Sequence, residues 1–192
     1  MQLLKIINHS WLKLISELIE WNEKMLFYPK LKKFYNDNLS WNNINVIDVG
    51  ANKGQTIKFI LSIRPSATIF SFESNRKLFS KGVSDKPLEL VFRENLLNEI
   101  STLKEIDLNS KYLTKKARVL GIKKEQLNVD QYKIQVTTLA DFIAENPGKF
   151  FELLKIDVDG HELSCLKGLF ASNVLPIPLI TYSLSIIMMT CI

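Results

Sequence analysis

Cysteine and histidine are scarce in this chain of 192 residues, with two of each. Cys165 and Cys191 cannot build a disulfide framework or a four-cysteine zinc site. Adding His9 and His161 does not restore the usual ligand set of a zinc enzyme, so no resident metal is expected. Internal repeats and low-complexity linkers are missing. So is a secretory signal, because Lys5, Lys13 and Glu17 interrupt the apolar core such a signal requires. The expected compartment is therefore the cytoplasm. With 46% hydrophobic and 23% charged residues, the composition is that of a globular chain and excludes wholesale disorder. A chain of this length buries roughly 70% of its unfolded surface, enough for one core.

Charge of one sign is only mildly in excess, at +5 net. Residues 103–135 hold eight Lys/Arg against four Asp/Glu, a surplus of four that accounts for most of it. Such a stretch can be a patch for phosphates or an anionic substrate. The expectation is a solvated loop or helix face, since nucleic-acid readers cluster charge more sharply and interleave aromatics. Nucleic acid is not an expected partner.

At the N-terminal end Leu4, Ile7, Trp11, Leu14 or Ile15, and Leu18 recur at three- and four-residue spacing, which predicts an amphipathic helix. Residues 1–40 read as a helical extension packed on a main domain of residues 41–192. A membrane-surface helix is the lesser alternative. At the other end no charged side chain follows Lys167. About 20 apolar residues are needed to span a bilayer, but Pro176 and Pro178 break the run and serines and threonines dilute it. Residues 179–187 fit a buried strand instead, with a tail anchor as the minor alternative.

Between the ends, strands alternate with helices. Asn45-Val46-Ile47-Asp48-Val49 is a β-branched run, Gly50 to Gly54 a turn, and residues 55–64 a helix that Pro65 stops. Further strands are expected at 67–72, 88–92, 134–136 and 151–158, and helices at 138–145 and 161–169. Residues 103–130 read as irregular or helical. This order predicts an α/β fold with a mostly parallel sheet and crossover helices.

In such sheets ligands bind outside the carboxyl ends of the strands, near the point where strand order reverses. Asp48, Glu73 and Asp157 stand at predicted strand ends, with Asp159 just beyond. Asp48 precedes Gly50-Ala51-Asn52-Lys53-Gly54, where small residues let a ligand approach the backbone. The following helix aims free N–H groups at the same crevice. Glu73 can accept two hydrogen bonds from ribose hydroxyls. A Gly-x-Gly-x-x-Gly dinucleotide fingerprint is absent. Asp48 at the lip is ill suited to a pyrophosphate. A ligand with an amino group and an adenosine but no phosphate fits better, which describes S-adenosylmethionine.

Residues 46–54, then Phe70-Ser71-Phe72-Glu73-Ser74-Asn75, Val136-Thr137-Thr138-Leu139-Ala140-Asp141-Phe142, Leu153-Leu154-Lys155-Ile156-Asp157-Val158-Asp159-Gly160-His161-Glu162 and Leu166-Lys167-Gly168 resemble the FkbM family of methyltransferases. The resemblance covers most of residues 44–168. It implies a Rossmann-like class I fold and S-adenosylmethionine-dependent O-methylation of a sugar or small natural product. It also implies that Asp48, Gly50, Ala51, Asn52 and Gly54 line the methionine end, that Glu73 holds the ribose, and that Ser84 and Asp85 lie near the adenine. Asp157, Asp159, His161 and Glu162 would face the transferred methyl. His161 is the natural general base, its ordinary pKa lying near 6.5, with Asp159 and Glu162 as alternatives. Cys165, among Leu163, Leu166 and Leu169, reads as core.

The pattern departs from the family in two places. Only eight residues separate Glu73 from Gly82, where a βαβ unit needs about 30, so a helix/strand unit is expected to be missing. The family's C-terminal strands are also expected to be truncated. The alternative function is a non-catalytic or degenerate methyltransferase-like binding module, with membrane tethering through the apolar tail as a variant of it.

Overall fold

The computed structural model of the chain describes residues 17–18, 21, 25–26, 28–39, 42–75, 81–95, 101–103, 110–120, 123, 128–171 and 179–182. The chain divides into two units, residues 1–41 and 42–192. In the first, helix α1 (Tyr28–Asn38) buries Tyr35, whose ring lies 5.8 Å from that of Phe34. The apolar stripe expected over residues 1–20 lies outside the described residues, apart from Glu17 and Leu18. Leu18 is exposed.

The second unit runs β1 (Asn45–Val49), α2 (Gln55–Ile63), β2 (Thr68–Phe72), β3 (Gly82–Val83), β4 (Leu88–Asn95), α3 (Lys111–Leu120), β5 (Asn128–Thr137), α4 (Leu139–Ala144), β6 (Leu153–Ile156), α5 (Glu162–Phe170) and β7 (Leu179–Tyr182). Four strands form a parallel sheet in the order β2-β1-β6-β7. From β1 the chain crosses through α2 outward to β2, and from β6 it crosses through α5 outward to β7, in the opposite direction. Strand order therefore reverses between β1 and β6. Right-handed crossovers then set α2 and α5 on opposite faces.

Alternation along the two central strands divides their side chains between those faces. Ile47 and Val49 of β1 and Leu154 and Ile156 of β6 join Phe72, Leu139, Phe151, Cys165 and Leu169 in the main core. There α4 and α5 pack against each other. The edge of this core is aromatic: the Phe142 ring stands 5.5 Å from Phe70, 5.0 Å from Phe72 and 5.7 Å from Phe151. Such tilted and edge-on pairs suit the ring quadrupole. Helix α4 starts where Thr138 Oγ1 accepts from the Asp141 N–H at 2.9 Å, a side-chain N-cap. The opposite face takes Val46, Leu153 and, two positions along each strand, Asp48 and Lys155.

At the amino ends, β1 and β6 are stitched by side chains. Glu152 Oε2 accepts from the Asn45 N–H at 2.7 Å, and Asn45 Nδ2 donates to the Phe150 carbonyl at 2.8 Å. With the bases of β1 and β6 tied, the loops leaving their carboxyl ends are held side by side.

A second, three-stranded sheet has the order β3-β5-β4, with β5 antiparallel to β4 over eight register pairs and parallel to β3. The expected parallel sheet is formed by four of the strands, while β3, β4 and β5 lie apart from it in this mixed sheet. Strands 88–92 and 134–136 extend to Leu88–Asn95 and Asn128–Thr137 and pair as an antiparallel ribbon. The reason is legible in their period of two: Leu90 and Phe92 pack with Tyr132, Ile134 and Val136, while Glu89 and Lys133 lie outside as an exposed ion pair. Antiparallel strands keep one wet face in this way. Within the basic stretch 103–130, expected to be irregular or helical, α3 is helical.

The connection from β2 to β3 spans only residues 73–81 and is closed by an antiparallel bridge between Glu73 and Lys81. The tail strand is present as β7, paired with β6. Residues 183–192 lie outside the described residues. Among the described residues no helix is long and apolar enough to cross a membrane.

Leu154 is fully buried at the centre of the main core. Truncating a leucine in such a place removes its transfer energy and leaves a cavity. Leu154→Ala is expected to lower unfolding stability by about 2–5 kcal/mol, read as a lower urea midpoint with an unchanged slope.

Candidate functional site

The reversal of strand order between β1 and β6 opens a crevice at their carboxyl ends, and the chain fills its rim with loop backbone rather than side chains. Gly50 leaves β1 at φ +81°. A Cβ there would collide with the Asp157 carbonyl oxygen, so only glycine lets the two loops pass this closely. The Gly50 and Ala51 N–H groups both donate to the Phe72 carbonyl, at 2.8 and 3.1 Å, which staples the loop over the end of β2. Asn52 is left-handed at φ 44°, and its N–H donates to Glu73 Oε2 at 2.7 Å. Gly54, at φ +79°, caps α2 with no side-chain hydrogen bond, leaving the first N–H groups of that helix to the crevice.

Beneath this loop lies the charged centre of the site. Asp48 is fully buried, and its register partner on β6 is Lys155. Paired residues on parallel strands share a face, and Lys155 Nζ comes to 3.0 Å from Asp48 Oδ1. The approach is close but poorly aligned, so the contact is an ion pair more than a hydrogen bond. Neither Asp48 oxygen has a well-formed hydrogen bond among the described residues. Lys155 also donates to the Gly50 carbonyl at 2.8 Å and stands 3.7 Å from Asp157 Oδ2. Burial pushes the Asp48 carboxyl above its ordinary 3.8; Lys155 opposes this, while Asp157 and Glu73 add to it. Two carboxylates, Asp48 and Asp157, thus stand within 4 Å of one ammonium, and Glu73 adds a third negative charge close enough to act on Asp48, which leaves the ionised crevice negative. Such a field attracts cations and repels phosphates.

Glu73 is engaged on both oxygens, by the Asn52 N–H and by the Asn75 N–H at 2.8 Å. Each carboxylate oxygen keeps a second acceptor site, so the contacts orient Glu73 without exhausting it.

A second cluster gathers Ser84, Asp85 and His161. Ser84 Oγ lies 3.0 Å from Asp85 Oδ1 and 3.0 Å from His161 Nε2, with Ser84 and His161 both buried. Two groups that the sequence assigned to different ends of a cofactor are therefore in contact. Glu162 does not point toward an open crevice. It is buried, and its Oε1 accepts from the Gly160 N–H at 3.0 Å, with the Val158 N–H at 3.4 Å. Its carboxylate shapes the loop after β6. Asp159 is exposed and left-handed at φ 47°, and its carbonyl accepts from Thr102 Oγ1 at 3.1 Å. Cys165 is core: its Sγ meets the Val83 carbonyl at 3.4 Å, and burial pushes its thiol up to about 12. Among the described residues no group of three or more His, Cys, Asp or Glu is arranged to hold a metal ion.

Sequence reasoning overlooked Lys155. The signal was there: Lys155 lies two positions before Asp157, and alternation gives it the same face as Asp48 once β6 is set beside β1. Thr102 carried no local signal, because only the bridge between Arg93 and Thr102 brings it under Asp159.

This is an α/β protein whose parallel sheet has a switch point between β1 and β6. The Methyltransferase FkbM domain matches residues 48–186, and the chain belongs to that family. No curated protein and no solved structure matches it significantly.

Two outcomes follow from the buried pair. Lys155→Met leaves Asp48 buried and uncompensated, and is expected to cost about 3–5 kcal/mol of stability in chemical denaturation. The second concerns pH. A carboxyl whose folded pKa lies above 3.8 holds its proton more tightly in the folded state. Its stabilising contribution is complete below that value and is lost as pH rises through the folded pKa. Asp48→Asn does not titrate. The stability of the natural protein relative to Asp48→Asn, from thermal unfolding, is therefore expected to fall as pH rises above about 4; a rising difference would mean that Lys155 outweighs burial.

Proposed function

We propose that this chain is an S-adenosylmethionine-dependent O-methyltransferase with a Rossmann-like class I sheet. Its acceptor would be a hydroxyl of a sugar or other small natural product. The observation that carries the reading is Asp48, a carboxyl with no exposed surface at the end of β1, under a glycine-bearing loop, with an oxygen that no described group satisfies. Lys155 is the one cation set against Asp48 and Asp157 among the described residues, and an ammonium or sulfonium would add the positive charge that the crevice as a whole lacks. A buried acid in a negative crevice has no use for a pyrophosphate. Membership of the FkbM family and the strand order around the switch point support the same reading.

The residues present fit the cofactor. Asp48 and the Gly50–Gly54 loop would take its methionine end, and Glu73 its ribose hydroxyls through the acceptor sites left open. Asp157, held at the rim by its N–H bond to the Val49 carbonyl at 2.9 Å, would face the reacting centre. When bound, the cofactor supplies an activated methyl group on a sulfonium. What the protein adds is alignment and charge. Fixing an acceptor oxygen in line with that methyl is worth up to roughly 7–11 kcal/mol of barrier. A base on the hydroxyl adds about 10²–10⁴-fold, and His161 is the side chain we assign to it. The negative crevice also favours the positively charged substrate form over the neutral thioether product, which helps product leave.

The short connection between Glu73 and Gly82 favours a second reading, a binding module without turnover. Cofactor binding without methyl transfer to any acceptor would select it.

Calorimetric titration with S-adenosylhomocysteine and S-adenosylmethionine tests the proposal. The natural protein is expected to bind both, the sulfonium more tightly, and Asp48→Asn to weaken binding by at least about tenfold, the loss of one charge-assisted contact. A folded, monodisperse protein that binds neither ligand overturns the reading.

A further inference from the structure

Residues 109–124 hold six Lys/Arg and no Asp/Glu, so the basic surplus of the chain is concentrated in one short run. Helix α3 displays part of it. Lys111, Lys115 and Arg118 are all exposed, while Ala117 of the same helix is buried. Spacings of four and three residues set the three cations on one face, over about 10 Å along the helix axis. Among the described residues, none of the three meets an acid or another polar partner.

A helix face that serves only to stay wet carries both signs, with acids about four residues before bases. The exposed face of the β4–β5 ribbon balances its charge in this way, where Lys133 Nζ stands 2.7 Å from Glu89 Oε1. Helix α3 does the reverse. Lys111 and Lys115 are like charges one turn apart, which works against the helix. Lys111 also occupies the first turn, which holds no acid, and the positive end of a helix disfavours a cation. The segment thus keeps an uncompensated positive stripe at a local electrostatic cost, the pattern expected of a working surface.

The kind of partner follows from the shape of the stripe. Binding nucleic acid takes a groove or aromatic rings on which bases stack, whereas the exposed cations here stand on the outer side of a single helix. A membrane leaflet with anionic lipids offers a plane of negative charge, which a straight cationic ridge meets without any matched pocket. The side of α3 that carries Ala117 is already buried in the protein, so charge, not insertion, does the holding. We propose that α3 is a docking ridge for an anionic membrane surface, with Lys111, Lys115 and Arg118 set against the lipid headgroups. Each such cation near the leaflet strengthens binding about fivefold, and three together about a hundredfold. This surface is independent of the methyltransferase reading above.

Co-sedimentation of the full chain with lipid vesicles is the test. The natural protein is expected to pellet with phosphatidylcholine vesicles that contain about a third phosphatidylserine, and not with phosphatidylcholine alone. Binding is expected to vanish between about 0.1 and 1 M salt, as the Debye length falls from about 10 to 3 Å. Lys111→Glu/Lys115→Glu/Arg118→Glu changes only exposed positions and is expected to weaken binding by about a hundredfold or more. Lys111→Arg/Lys115→Arg/Arg118→Lys keeps the charge and is expected to keep the binding. Lys30, Lys32 and Lys33 of α1 are also exposed. Lys30→Glu/Lys32→Glu/Lys33→Glu makes the same change in net charge there and is expected to retain most of the binding. Circular dichroism establishes that each variant is folded. Equal pelleting with neutral vesicles, no pelleting with anionic ones, or equal loss in the α1 variant overturns the proposal. So does tighter binding to a single-stranded RNA than to anionic vesicles in the same buffer, lost in the α3 glutamate variant, which assigns the stripe to nucleic acid instead.

Discussion

The contact between Asp48 and Lys155 is the constraint around which the second unit is organised. Two opposite charges sit side by side on the central parallel strands, out of water, at the point where strand order reverses. Burying either alone is costly, and their mutual attraction offsets that cost only while the geometry holds. The lysine does more than neutralise. By donating to the Gly50 carbonyl and standing near Asp157 it links the loop after β1 to the loop after β6. The close passage of those loops at Gly50 is the steric side of the same arrangement. Charge and backbone together hold the crevice in shape before any ligand arrives.

The second sheet serves the site from the other side. Strand β3 presents Ser84 to His161, and the segment after β4 returns as far as Thr102 to hold the Asp159 carbonyl. Glu162 fixes the same loop from within by accepting from its N–H groups. Three acidic or polar residues that share one short stretch of sequence therefore have different tasks. Asp157 looks to the charged crevice, Asp159 to the exposed surface, and Glu162 to its own loop. A single side-chain rotation or a positive φ separates such neighbours, which is why linear adjacency is a poor guide to common function.

Much of the first sheet was legible in the sequence. The run at β1, the turn at Gly50 to Gly54, the stop at Pro65, the helix within 138–145 and the buried strand β6 lie where local propensity and periodicity put them. The acids at strand ends marked the crevice, because topology leaves that place for a ligand in any open parallel sheet. The pairing of β4 with β5 was not read, although the alternation of Leu90 and Phe92 with charged residues was there to see. A long basic connection hid the partnership, and strand pairing over such a distance depends on the whole sheet.

What the sequence by itself determined was the class of fold, the family and the position of the acids relative to the strands, since these depend on local patterns and on motif order. Only the tertiary structure decided which of those acids are buried, which share a lysine, and which face one another. Burial and the pairing of charges arise from register between strands about a hundred residues apart, as with Asp48 and Lys155, and no local pattern encodes that distance. The same holds for Ser84 and His161: each is an ordinary polar residue until the packing of α5 on β3 closes the gap between them.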